Sequence, residues 1–243
     1  MNSNENVSRF ADLPQRPVAM VAGLGLLLMA IISPFAFLNT YQNIMVSGDA
    51  KATVENIIAA GSLFNIGIFI FLVVVILDIV VAWALYVLFK PVHKSLSLLA
   101  AWFRLTYAPI FALALNHLFN ASQLLSGADY LKVFGTDQLY AQAMLSVSAF
   151  KNSWDIGLVV FGLHLWVLGY LAFKSGFIPK WLGVLLVVAG FGYIADSFGK
   201  FLLPNYNIAL AQFTFVGEAL LIFWLLWKGI KGFDKELEKK RSL

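Results

Sequence analysis

A chain of 243 residues that is 60% hydrophobic and 12% charged, with a mean hydropathy of +0.82, has too little polar surface for a water-soluble domain, where about 25% of residues are charged. At roughly 20 residues per span the length fits six membrane helices and leaves no room for a separate soluble domain. With no cysteine, disulfides and thiolate metal sites are excluded; the net charge of +4 gathers beside helix ends, so no nucleic-acid partner is expected.

In chain order, residues 1–16 are polar, with Arg9 and Arg16 against Glu5 and Asp12. Residues 18–38 are apolar throughout and read as a retained first span, bent at Pro34, because no small-residue cleavage site follows. The more polar residues 39–63 hold a short surface helix that Asp49 caps, with Val54, Ile57 and Ile58 on one face. The second span, 64–89, ends at Lys90-Pro91. The third, from Ser95 to about Leu125, contains Pro109 and must tilt, kink or project beyond a ~30 Å hydrocarbon core.

Residues 126–153 form the second substantial loop, with Thr136 or Asp137 capping a helix through about Phe150. Spans four, five and six are expected at 154–173, 181–203 (stopped by Pro204) and 208–227. Trp154, Trp181, Tyr206 and Trp227 read as interfacial anchors. The expectation is an all-α, six-helix transmembrane bundle with short interfacial helices in the two larger outer loops. Residues 1–16 form its N-terminal segment, 17–228 the membrane domain and 229–243 a charged tail. Lys and Arg number 12 on the side of the termini and 4 on the other, which puts both termini in the cytoplasm.

Ionisable groups within a bilayer are costly unless paired or facing water. Asp78, Arg104, His164 and Glu218 each lie 10–12 residues from an inner-side lysine, about 15–18 Å deep, so four helices place such a group in one layer. Arg104 shares a stripe with Ser97, Ala101, Ala108, Ala112 and Asn116, and Glu218 shares one with Ala211, Thr214 and Gly217. Small residues mark protein-facing surfaces, so an Asp78–Arg104 pair is expected, with His164 and Glu218 near it. The layer is read either as a register-fixing structural pair or as a binding site for an ion or small-molecule ligand.

An outer layer holds Asn116, His117, Asn120, Asp155, Asp196 and Lys200. Within it Lys200 is placed to pair with Asp196 one turn away, and Asp155 to cap the fourth helix. No P-loop, dinucleotide fingerprint, HExxH or G-x-S-x-G occurs, so no cofactor or resident metal is expected. Transport or ligand binding leads. The alternatives are an intramembrane metal-dependent hydrolase using His93, His117 and His164, whose depths disagree, and a non-catalytic component acting through a protein partner.

The stretches YVLFKPVHKSLSLLAAWFRL (86–105), LLSGADYLKVF (124–134) and FGLHLWVLGYLAFKSGFIPKWLGVLLVVAGFGYIADSF (161–198) resemble a bacterial integral membrane family catalogued as domain of unknown function 4386. The likeness covers nearly the whole chain, and GLHLWVLGYLAFKSGFIPK is its most specific part. It implies a helical fold in the cytoplasmic (inner) membrane of a prokaryote, and it supplies no catalytic residues.

Overall fold

A computed structural model describes residues 14–233, which are helical with no strand among them. The elements are α1 (Gln15–Phe37), α2 (Ala50–Ala60), α3 (Ser62–Phe89), α4 (Lys94–Leu124), α5 (Thr136–Lys174), α6 (Lys180–Leu202), α7 (Ala211–Thr214) and α8 (Val216–Lys231). Six segments are long and apolar enough to cross a membrane: Gln15–Gln42, Ser62–Phe89, Lys94–Leu124, Thr136–Lys174, Lys180–Leu202 and Ala211–Lys231. This is a multi-pass membrane bundle. Its spans neighbour one another in chain order, and the last returns to pack on the first.

The faces follow helical spacing. On α3, Ile66, Phe69, Leu72, Ile76, Ile79 and Trp83 are exposed, while Phe71, Val74, Val75, Asp78, Val81, Ala82 and Leu85 are buried. Steps of three and four residues keep each set on one side, an apolar stripe for lipid and a packed face for the neighbours. At the α3–α4 turn, Ser97 Oγ donates to the Tyr86 carbonyl at 2.8 Å. His93 Nδ1 accepts from Leu96 N–H at 3.2 Å and caps α4.

The α5–α6 crossing is a seam of glycines. A Cβ on Gly183 would lie 2.6 Å from Gly169 O, and one on Gly190 would lie 2.6 Å from Gly162 O. Such closeness is available only to residues without a side chain. Both described chain ends lie at one end of the bundle, here the terminal end, where Arg16 donates to the Ile230 carbonyl. Lys228 is 8% exposed there, 4.9 Å from the Trp227 ring and 5.5 Å from that of Trp224. The opposite, loop end carries α2 and a 3₁₀ turn at Asp129–Val133.

Four joins differ from expectation. α1 keeps Pro34 and passes into a π-helical turn at Leu38–Gln42. Asp49 caps α2, accepting from Ala52 N–H at 2.9 Å, but Ile58 is exposed and Thr53 joins Val54 and Ile57 on the buried face. The helix expected at 136–150 does not end: α5 runs unbroken for 39 residues, about 58 Å. It therefore extends past a ~30 Å core, and Gly135 rather than Thr136 or Asp137 is its cap residue. The sixth span begins only at Ala211, and Phe215 within it keeps helical dihedrals of φ −62° and ψ −9°. Of the polar ends, Arg9 and the tail from Lys235 to Arg241 fall outside the described residues.

Candidate functional site

Antiparallel α3 and α4 bring Asp78 Oδ1 to 2.6 Å from Arg104 Nη2, with the residues 1% and 2% exposed. From α5, fully buried His164 places Nε2 3.4 Å from Arg104 Nη1 and Nδ1 2.9 Å from the Ala100 carbonyl. A carbonyl only accepts and a guanidinium only donates, so Nδ1 carries the hydrogen and Nε2 accepts. The imidazole is thus neutral with its tautomer fixed. The guanidinium also lies 5.3 Å from the Phe161 ring centre.

Glu218 stands in the first turn of α8. The residue is half-buried with its Oε1 sealed. Tyr193 of α6 reaches it, and Arg104 and Asp78 act on it electrostatically. Close packing sets its position: a Cβ on Gly217 would be 2.7 Å from the Leu185 backbone. Asp78 and Arg104 touch but align poorly, so neither Asp78 oxygen and neither Nε nor Nη2 of Arg104 makes a well-directed hydrogen bond, and Glu218 Oε1 also lacks one. Asp78, Arg104 and His164 are thus in contact, and Glu218 lies within electrostatic reach of Arg104 and Asp78.

The stripes hold in part. Ser97, Ala101, Arg104 and Ala108 are buried, Ala112 is half-buried and Asn116 is exposed. Twelve residues beyond Arg104 turn a helix by about 120°, which carries Asn116 off the inward face. On the Glu218 stripe Gly217 is buried, while Ala211 and Thr214 are half-buried. Above the inner layer Tyr107, Phe111, Phe71, Phe150 and Trp154 form an aromatic cluster. Trp154 is part of this core rather than an interfacial anchor, donating its indole N–H to Tyr107 Oη at 2.9 Å. Tyr107 and Tyr193 are site residues that sequence reasoning missed; each sits three residues from a named ionisable group, Arg104 or Asp196.

In the outer layer the expected partners change. Asp155, 2% exposed, accepts from Lys151 on its own helix and from Lys200 Nζ at 3.0 Å across the α5–α6 seam. It is mid-helix, so it caps nothing. Asp196 instead accepts from Tyr206 Oη at 2.7 Å, Leu210 N–H at 2.9 Å and Ala211 N–H at 2.8 Å, tying the loop before α7 to α6. That hydrogen bond, with the neighbouring negative charge, holds the Tyr206 phenol above its ordinary range. His117 is half-buried on α4 and His93 caps α4 at the terminal end. Among the described residues no three His, Asp or Glu side chains gather to hold a metal.

Two clefts open at the loop end. One of about 410 Å³ is lined by Asn120, Gln123, Tyr130, Gln142 and Ser146 among others; another of about 370 Å³ lies between α2, α3 and α4. Neither reaches the inner layer.

The sequence profile of the family described as "Domain of unknown function (DUF4386)" matches residues 21–229. An uncharacterized protein of Archaeoglobus fulgidus is 38% identical over 166 residues, 68% of this chain and 83% of that protein. No solved structure matches the chain.

Proposed function

The chain belongs to the domain of unknown function 4386 family, and from that premise we propose that it is an ion-binding membrane protein, of the kind that transports what it binds. The bound species is one exchangeable cation, a proton or a monovalent metal ion, held at Glu218. The observation that carries this is charge balance. Arg104 brings one positive charge and His164 none, so the carboxyl groups of Asp78 and Glu218, if both were ionised, would leave one negative charge unbalanced. An unpaired charge within a membrane costs several kcal/mol, and a bound cation would offset it.

The excess of Lys and Arg on the side of the termini supports a cytoplasmic placement for that end. In a prokaryote the membrane would be the cytoplasmic one. The test replaces Glu218 by Gln and measures cation uptake by the purified protein, as protons after a pH step and as radioactive sodium at fixed pH. Wild type takes up about one cation per chain that E218Q does not; equal uptake by the two proteins, or none by either, refutes the reading.

A further inference from the structure

The outer lysines support an inference that stands apart from the inner layer. Lys151 and Asp155 lie one turn apart on α5, and Lys200 comes from α6. Both ammonium groups bond the same atom, Asp155 Oδ1. The carboxylate lies beneath, with a side chain 4% exposed, while the lysine side chains above it are 19% and 36% exposed. Asp196, the other acid acting on Lys200, already accepts from Tyr206 and from two backbone N–H groups. Two positive charges thus share one oxygen of one carboxylate.

Each ammonium has three donors, and the described residues take one hydrogen bond from each to a carboxylate. The Tyr41 phenol is within electrostatic reach of Asp155 and Lys200. Two ammonium groups with donors to spare suit a group with several acceptor oxygens, as in a phosphate. We infer that Lys151 and Lys200 form a phosphate-binding site at the loop end of the α5–α6 seam. The oxyanion comes either from a phospholipid headgroup in the bordering leaflet or from free phosphate. Asp155 is a positioning residue: it holds the two ammonium groups side by side and takes no part in contacting the anion.

The test uses the full chain in nanodiscs of phosphatidylcholine, with or without phosphatidylglycerol. Native mass spectrometry reads retained phosphatidylglycerol, and thermal unfolding reads the response to inorganic phosphate against chloride at equal ionic strength. Lys200 is the more exposed of the pair, so K200Q leaves the buried Lys151–Asp155 contact in place, and K200R keeps the charge. Retained phosphatidylglycerol should fall roughly fivefold in K200Q, about 1 kcal/mol per lysine near a membrane surface, and persist in K200R. Retention without a response to inorganic phosphate assigns the site to the headgroup; stabilisation by inorganic phosphate that K200Q loses assigns it to the free anion. If wild type shows neither effect, or K200Q matches it in both, the inference is overturned and the lysines only clamp α5 to α6.

Discussion

Arg104 illustrates how a charge is kept inside this bundle. Its guanidinium is held by Asp78, by His164 and by the face of Phe161. Breaking such a pair on one side leaves the other charge buried and uncompensated. D78N should therefore cost about 3–5 kcal/mol, read as a lower midpoint of unfolding in mild detergent. Replacing both partners by leucine should cost less than D78N alone, because no charge is then stranded. The inner pairing was legible in the sequence because depth, counted from the flanking lysines, puts Asp78 and Arg104 at one level. Lys200 was not legible in the same way. Its helical neighbour Asp196 looks free in the sequence, and only the loop through Tyr206 and Leu210, which folds back over it, sends Lys200 to Asp155.

For the individual helices, apolar runs fixed the existence of all six spans, and their joins depended on packing. The polar residues Lys151 to Asp155 look like the start of a helix, yet α5 passes straight through them. Packing against α2, α4 and α6 outweighs the few tenths of a kcal/mol by which Asn and Ser disfavour a helix. The sixth span is the reverse case: residues 208–227 are apolar enough to read as one helix, yet residues 208–210 stay outside it. The glycines of α6 were recognisable as packing positions. G183V should destabilise the bundle by about 1–3 kcal/mol or more, since its Cβ would meet Gly169 O at 2.6 Å and Phe173 N at 2.7 Å. At Gly135 a Cβ meets nothing within 4 Å, so G135S should be neutral or slightly stabilising as a helix cap; thermal unfolding of the two variants side by side checks both.

In the whole molecule, the bundle of spans encloses one largely buried polar layer and carries a second, partly exposed one at the loop end. Its orientation is directly testable, because the absence of native cysteine makes introduced thiols unambiguous. In intact cells a membrane-impermeant thiol reagent should label N207C and spare K231C; the opposite pattern would reverse the proposed topology. The central claim, one exchangeable cation at Glu218, is tested most directly by infrared difference spectroscopy of the purified protein, taken between acid and alkaline pH and between sodium-free and sodium-containing buffer. A carboxyl band that changes with one of these exchanges in wild type, disappears in E218Q and survives in D137N, where the altered acid is exposed, is the predicted result. A wild-type spectrum unchanged by either exchange, or a band that persists in E218Q, would contradict it.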